Sequence, residues 1–212
     1  MICASIANIN YPELEKIISD FEMIELRLDL LDFSEQEYRK IYSLGKAIIA
    51  TYRYGKTEDS IRIEALQKAI VLGATYVDVE IDASNYFVET MMDFAKQNNC
   101  KTILSYHNFE STPNVKELNL LIEKSKQLQA DYIKIVTMIN TSEDTARILS
   151  LYEHHKNLIA FGMGDMGKIS RIASIYLGAK FTYASFSEAQ KTAQGQIEYN
   201  ELQKIFSTIN SQ

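Results

Sequence analysis

The sequence predicts an α/β protein with a single (β/α)8 (TIM) barrel domain over residues 1–212, and three observations support this fold class. Eight short apolar or β-branched runs recur along the chain. The segments between them carry apolar residues at the spacing of one helix face, as in Ile61, Ala65, Ala69 and Leu72. Two prolines, eight glycines and the lack of low-complexity stretches give no sign of a domain boundary. Alternating strands and helices require parallel strands with helical crossovers, and a count of eight favours a closed barrel.

Helix starts are predicted at Ser34 and Thr141, because Glu37 and Asp144 follow three residues later and can each complete a capping box. An open, doubly wound sheet is the structural alternative, since alternation by itself does not establish closure. The predicted strands are Ile2 to Ile6, Met23 to Leu28, Ala47 to Tyr52, Tyr76 to Ile81, Thr102 to Tyr106, Tyr132 to Val136, Leu158 to Phe161 and Phe181 to Ala184.

Composition excludes several classes of partner. A formal net charge of -6 argues against sequence-independent binding of nucleic acid or anionic lipid, which requires a surplus of Lys and Arg on one face. No apolar run approaches the ~18 residues of a membrane span, and Met1 to Asn10 lacks the basic start of a signal peptide. Cys3 and Cys100 lack the spacing of a zinc or redox site and are interpreted as buried or incidental thiols. We therefore expect a cytoplasmic protein that binds neither nucleic acid nor membrane.

Charged side chains are concentrated where the predicted strands end. Glu25, Arg27 and Asp29 alternate along the second strand, and a period of two places all three on one face, which is the interior of a barrel. A structural salt-bridge ladder is the alternative interpretation for Arg27 and Asp29. The carboxyl ends of barrel strands meet at one mouth. That mouth would also collect polar residues from the next three strands: Arg53, Asp78 and Glu80, and Ser105 to His107.

Lys134 lies in a strand otherwise suited to burial, Tyr132 to Val136. Buried lysines are rare, and desolvation favours the neutral amine, which can attack a carbonyl group and form an imine, or Schiff base. The alternative is a lysine in a salt bridge to an acid such as Glu80. The sequence therefore predicts either a nucleophile or a buried ion pair at this position.

A glycine-rich segment, Met163 to Arg171, follows the seventh strand and leads into a helix. Its glycines allow a close approach of backbone to ligand, and such a turn can hold a phosphate at the helix N-terminus. Arg171 instead suits a carboxylate, which a guanidinium binds through two parallel hydrogen bonds. The polar segment Lys191 to Gln196, after the eighth strand, can close over such a site.

These motifs together resemble the type I (class I) 3-dehydroquinate dehydratase family, along nearly the whole chain. Their order and spacing make chance agreement improbable. The most specific pieces are Glu25-Leu26-Arg27-Leu28-Asp29, Ser105-Tyr106-His107-Asn108-Phe109 with Thr112-Pro113, Lys134 in its strand, and Met163-Gly164 through Ser170-Arg171.

The resemblance implies a cytoplasmic, homodimeric hydro-lyase that converts 3-dehydroquinate to 3-dehydroshikimate in the shikimate route to aromatic amino acids. It implies a small-molecule substrate and no metal or organic cofactor. Lys134 would form the Schiff base, His107 would act as general acid and base, and Arg171 would bind the substrate carboxylate. Further residues carried over by the resemblance are Ser5, Glu25, Arg27, Arg53, Thr192 and Gln196 for substrate binding, with Met163 lining the pocket and Glu80 near the lysine.

Two departures from the family pattern stand out. After Arg53 the family commonly continues to Glu-Gly-Gly, whose glutamate supports the catalytic histidine. Here the run is Tyr54 to Ser60, with Thr57 at the expected position and Glu58 one residue later. Either Glu58 takes the role through a shifted loop or His107 lacks that support. Gln194 replaces a common proline, which predicts a more flexible closing segment.

Two other functions fit parts of the pattern. A class I aldolase also uses a lysine imine in a (β/α)8 barrel, but it predicts a phosphate site rather than a carboxylate clamp. A binding protein that keeps the barrel without catalysis would account for the altered loop after Arg53. Arg171 argues against the first, and retention of both Lys134 and His107 argues against the second.

Overall fold

The structure of the protein, a computed structural model, describes residues 1–53, 55 and 57–211. Eight strands alternate with eight α-helices over this part of the chain. The strands are β1 (Ile2–Ile6), β2 (Met23–Arg27), β3 (Ala47–Thr51), β4 (Tyr76–Glu80), β5 (Lys101–Asn108), β6 (Tyr132–Met138), β7 (Leu158–Met163) and β8 (Thr182–Ser185). The helices are α1 (Tyr11–Ile17), α2 (Glu35–Tyr42), α3 (Asp59–Leu72), α4 (Asn85–Gln97), α5 (Val115–Gln127), α6 (Ser142–Ser150), α7 (Lys168–Tyr176) and α8 (Tyr199–Asn210).

All paired strands are parallel, and the sheet order is β7-β6-β5-β4-β3-β2-β1-β8. The two end strands approach each other across the interior, where the ring centroids of Phe161 in β7 and Tyr183 in β8 are 6.0 Å apart. The sheet therefore curls into a nearly closed (β/α)8 barrel. The predicted fold class is confirmed, and the open sheet is excluded.

The barrel interior divides into an apolar part and a polar part along the strands. Apolar side chains that point inward near the strand starts, such as Met23, Ile49 and Ile103, pack in a cluster separate from the core beneath the helices. Further along the same faces come Glu25, on β2, and Ser105, on β5. Because side chains alternate along a strand, the inward face passes from a packed core to a polar mouth within two residues.

Local signals in the sequence set most element ends. Ser34 and Thr141 each cap a helix in a capping box with the predicted acid three residues on. The second strand ends earlier than predicted, at Arg27, and Asp29 lies in the 3₁₀ turn that follows. The expectation that Glu25, Arg27 and Asp29 share one strand face is therefore wrong for Asp29. Its carboxylate instead accepts hydrogen bonds from Arg27 Nε and Nη2, at 2.9 and 2.7 Å.

Both cysteines, Cys3 and Cys100, are buried free thiols, in agreement with their interpretation from spacing. None of the helices described by the structure has the length and apolar character needed to cross a membrane.

Candidate active site

A cavity of about 230 Å³ opens at the carboxyl ends of the strands. Its volume lies below the about 300–1,000 Å³ of pockets for drug-sized ligands, which suits a small molecule. Every predicted site residue except Glu58 lines it: Ser5, Glu25, Arg27, Arg53, Glu80, His107, Lys134, Met163, Arg171, Thr192 and Gln196.

Lys134 points into this cavity from the middle of β6 and is 3% exposed. Its Nζ donates a hydrogen bond to Asp78 Oδ2 at 3.0 Å and lies 3.8 Å from Glu25 Oε1. On another side, Nζ lies 4.1 Å from the ring centroid of Tyr183. The lysine is thus buried, as predicted, but carboxylates share its surroundings with the ring.

Glu25, Asp78, Lys134 and Tyr183 come from β2, β4, β6 and β8. In a (β/α)8 barrel, alternate strands contribute the side chains of one interior layer. The four residues therefore form a single layer, which we call the lysine layer. The amine of Lys134 lies between the other three side chains.

Asp78 accepts hydrogen bonds from two residues in addition to Lys134. Arg53 Nη1 and Nη2 donate to its two oxygens at 3.0 and 3.1 Å, and Ser105 Oγ donates at 2.6 Å. Although burial by itself raises a carboxyl pKa, Arg53, Lys134 and His107 hold the pKa of Asp78 well below its ordinary range. Strand parity places Asp78 at the barrel mouth, but the sequence assigns it no role. The structure shows it as the fixed anion beside Lys134.

The resemblance predicts Glu80 beside Lys134, whereas the ion pairs that the structure shows for it include two arginines. Its carboxylate lies 3.5 Å from Arg53 Nη1 and 2.8 Å from Arg62 Nη2. The strand register pairs Glu80 with Ser105 and Ser105 with Lys134. Register alone would therefore predict Glu80, rather than Asp78, as the carboxylate beside the lysine amine. Barrel strands tilt by about 36° to the axis, so residues in register do not lie at one height. The tilt brings Asp78 level with the amine.

Glu25 is held by two hydroxyl groups. Ser5 Oγ donates to its Oε2 at 2.7 Å, and Thr51 Oγ1 donates to its Oε1 at 2.9 Å.

Arg53 also donates to Ser105 Oγ at 3.1 Å and has Nη2 4.0 Å from Glu25 Oε1. Although burial by itself lowers its pKa, Asp78, Glu25 and Glu80 raise the pKa of Arg53 above its ordinary value. Arg53 is therefore held by ion pairs to the carboxylates around Lys134.

His107 projects from the end of β5 and is half-buried beside the ring of Phe109, 6.2 Å away between centroids. Burial, Arg53 and Lys134 hold the pKa of His107 well below its ordinary value. The imidazole is neutral at pH 7 and can accept a proton. Its Nδ1 is buried without a hydrogen-bond partner among the residues that the structure describes.

Glu58 does not provide the support for His107 that one hypothesis assigns to it. It is an exposed residue at the start of α3, where its carboxylate accepts a hydrogen bond from Ser60 Oγ at 3.4 Å. Tyr54 and Lys56, in the same run, lie outside the described residues. Within the described chain, His107 therefore matches the hypothesis of a histidine without that support.

Arg171 lies on α7 with 1% exposure and its Cζ 4.5 Å from the ring centroid of Phe161. Its Nε is buried without a partner, and no ion pair to its guanidinium occurs within residues 1–53, 55 and 57–211. Burial lowers the pKa of Arg171 to about 10, so it remains a cation at pH 7. A buried cation that lacks an anion within the described chain can accept a ligand carboxylate.

The glycines before Arg171 are explained by packing. A Cβ atom on Gly167 would collide with the backbone of Gly162, and one on Gly162 would collide with the side chain of Ile139. These contacts seat the start of α7 directly on β7 and fix the direction from which Arg171 enters the cavity. The glycine-rich turn therefore does not need a phosphate ligand to account for it.

The segment after β8 closes over the same side of the cavity. Gln196 Oε1 accepts hydrogen bonds from Thr192 N at 2.7 Å and Thr192 Oγ1 at 3.2 Å. Gly164 N donates to the carbonyl oxygen of Gln194 at 3.2 Å. Gly195 has φ +72°, and a Cβ atom there would collide with Gly164. A glycine at 195 thus allows the segment to lie against the end of β7.

Comparison with known proteins shows the family of this chain. A family model described as type I 3-dehydroquinase matches residues 2–212. The 3-dehydroquinate dehydratase of Pyrococcus abyssi is 37% identical over 205 residues, covering 92% of this chain and 92% of that protein. The enzyme of the same name from Desulfotalea psychrophila is 32% identical over 219 residues, covering 97% and 96%. A crystal structure of the 3-dehydroquinate dehydratase from Aquifex aeolicus VF5 gives a TM-score of 0.84 at 28% identity, with 100% of both chains covered. The chain therefore belongs to the type I 3-dehydroquinase family of enzymes.

Proposed function

We propose that the protein dehydrates 3-dehydroquinate to 3-dehydroshikimate through an imine on Lys134, in the shikimate route to aromatic amino acids. One observation carries the proposal: the amine of Lys134 shares a small cavity with a neutral His107 and with Arg171, which has no anion beside it among the described residues. A nucleophile, a proton acceptor and a carboxylate site thus surround the same space. The predicted homodimer stays a prediction.

Imine formation is the first step. Lys134 Nζ attacks the substrate ketone as the neutral amine once its proton has passed to His107, the resulting carbinolamine takes that proton back and loses water, and a protonated imine remains. Asp78 and Glu25, at 3.0 and 3.8 Å from Nζ, stabilise a positive charge on that nitrogen before and after the step. His107 assists by moving protons to and from the carbinolamine.

Elimination follows from the carbon next to the imine. His107 removes a proton there, and the electron pair moves into the imine to give an enamine. The enamine then expels the substrate hydroxyl group, which takes the proton back from His107 and leaves as water. Water hydrolyses the product imine and frees Lys134, so the net change is the loss of one water molecule from the substrate.

Arg171 distinguishes this reaction from an aldolase reaction on a sugar phosphate. A guanidinium fork matches the two oxygens of a carboxylate, which 3-dehydroquinate carries. The glycines of the preceding turn are occupied with packing between α7 and β7. The same site thus favours a carboxylate substrate over a phosphorylated one.

The test combines product detection with covalent trapping. Addition of 3-dehydroquinate should raise the ultraviolet absorbance of the conjugated enone product. Borohydride added during turnover should attach the substrate skeleton to the peptide that contains Lys134, as read by mass spectrometry. Lys134→Met should abolish both signals. Lys101→Met is the matched control, because Lys101 is an exposed lysine at the other end of the barrel, at the start of β5. Folded protein that gives neither product nor adduct contradicts the proposal.

A further inference from the structure

The sequence predicts Tyr183 only as part of an apolar strand, whereas the structure places its ring against the amine of Lys134. The distance from Nζ to the ring centroid is 4.1 Å, within the about 6 Å over which a cation is attracted to an aromatic face. Tyr183 is 3% exposed, so little water screens the contact. The contact joins two members of the lysine layer from β6 and β8, the strands on either side of β7 in the nearly closed barrel.

Neighbouring aromatic rings fix the orientation of this ring. Phe161 and Phe181 lie with centroids 6.0 and 5.6 Å from that of Tyr183, at interplanar angles of 50° and 65°. All three belong to the interior apolar cluster. A ring packed in this way presents the same face to Lys134 throughout the reaction, with little reorganisation.

The hydroxyl group of Tyr183 does not explain the residue. It is buried and has no hydrogen-bond partner in the described part of the chain. Burial and the nearby carboxylate of Glu25 raise the pKa of Tyr183, so the phenol stays neutral. Since the hydroxyl makes no hydrogen bond to any described residue, we assign the contact with Lys134 Nζ to the ring.

We propose that Tyr183 is a positioning residue for Lys134, whose ring face stabilises the positive charge on Nζ as an ammonium ion and then as the protonated imine. The proposal has an ammonium half, which concerns Lys134 without substrate, and an imine half, which concerns the protonated imine and rests on the proposed function. Asp78 and Glu25 also stabilise a cation, but a carboxylate can accept its proton, whereas an aromatic face cannot. The ring therefore holds the charge on nitrogen, where it serves as the electron sink for the elimination.

Other charged and titratable groups face the same nitrogen and remain in every variant used below. They are Cys3 of β1, Glu25 of β2, Arg53 after β3, Asp78 of β4 and His107 of β5. Differences between variants at position 183 therefore report on that side chain.

The first experiment measures the proton on Lys134 without substrate. Acetic anhydride acetylates the neutral amine, and peptide mass spectrometry gives the rate at Lys134 as a function of pH. In Tyr183→Leu the half-maximal rate should move to lower pH by about one unit, because the ammonium ion loses the ring. Tyr183→Phe should keep the wild-type midpoint. Tyr76→Leu is the matched control and should keep it as well, because Tyr76 is a ring of the same interior cluster that packs on Tyr132 and Phe181 rather than on Tyr183.

The second experiment measures the imine. At saturating 3-dehydroquinate, the fraction of Lys134 trapped by borohydride should fall about tenfold in Tyr183→Leu and return in Tyr183→Phe. Thermal unfolding checks that each variant is folded, and Tyr183→Met replaces the leucine variant if that does not fold.

Three outcomes overturn the inference: a wild-type midpoint in Tyr183→Leu, an equal shift in Tyr183→Phe, or an equal shift in Tyr76→Leu. The second would assign the effect to the hydroxyl, and the third to packing. If wild-type protein gives no trapped imine, the proposed function fails together with the imine half. The acetylation midpoint still decides the ammonium half, so the two failures are distinguishable.

Discussion

Arg53 and Arg171 line the same cavity from different sides of the barrel, and they differ in the acids that surround each guanidinium group. On the β3 side, Arg53 donates to both oxygens of Asp78 and lies within 4.0 Å of Glu25 and Glu80. On the α7 side, Arg171 has an aromatic ring beneath it and no acid within salt-bridge distance in the described chain. The pKa of Arg53 is raised by its acids, which outweigh burial, whereas burial lowers the pKa of Arg171 to about 10.

The difference shows how one cavity separates structure from recognition. A buried charge with partners is needed for the stability of the folded protein, because removing it leaves other buried charges unpaired. A buried charge without a partner costs free energy in the empty protein, which a ligand of opposite charge can recover. We therefore interpret the Arg53 side as prepared for chemistry before substrate arrives, and the Arg171 side as the place where substrate completes the charge balance.

The largest expected effect is on the stability of the Arg53 side. Arg53→Met should lower the free energy of unfolding by about 3 kcal/mol, because it leaves the buried carboxylate of Asp78 without its two guanidinium donors. Urea unfolding measures the change as a shift of the midpoint. Arg39→Met is the control, since the Arg39–Glu35 pair is well exposed and its removal should change stability little. Equal midpoints for the two variants would remove the distinction between paired and unpaired arginines.

The next effect is a split between stability and binding at Arg171. Arg171→Met should leave the free energy of unfolding unchanged or higher, because a buried unpaired charge is removed. It should raise KM about 30-fold, equivalent to about 2 kcal/mol of lost charge-assisted hydrogen bonding. Steady-state kinetics and urea unfolding of the same preparation test both halves. Arg171→Lys keeps the charge but not the fork and should lie between the two. A destabilised variant with unchanged KM would place the carboxylate elsewhere.

The smallest expected effect is on the pKa of His107, which we expect to change in Arg53→Met and not in Arg171→Met. In a proton NMR titration of the wild-type protein, the His107 ring should titrate well below pH 6.5, because burial, Arg53 and Lys134 disfavour its charged form. Arg53→Met should raise that midpoint by about one unit, or about 1.4 kcal/mol. Arg171→Met should leave it unchanged. A shift of similar size in both variants would contradict the assignment of Arg53 as the arginine that acts on His107.

The same shift has a consequence for stability. As pH falls below 6.5, the unfolded chain takes up the His107 proton before the folded protein does. The contribution of His107 to stability is therefore lost as pH decreases through this window. The loss should be smaller in Arg53→Met, because the folded and unfolded pKa values of His107 are then closer.

Much of the site could be predicted because strand parity is visible in the sequence. Alternation placed Glu25 and Lys134 on inward faces, and eight strand and helix periods gave the barrel. Parity could not choose between Asp78 and Glu80, which lie on the same face of β4. It also gave no signal for Tyr183, because a tyrosine in an apolar strand has the same pattern whether it packs in a core or contacts a lysine on another strand.

The sequence by itself determined the order of strands and helices, the capped helix starts and the set of polar side chains that reach the barrel mouth. These depend on local periodicity, which every stretch of chain carries within itself. Only the tertiary structure decided that Asp78 holds Lys134, and that within the described chain Arg53 is paired, Arg171 is not, and Glu58 makes no hydrogen bond to His107. Those outcomes depend on the tilt of the strands and on distances between residues far apart in the chain, where a shift of a few ångströms changes the partner of a charge.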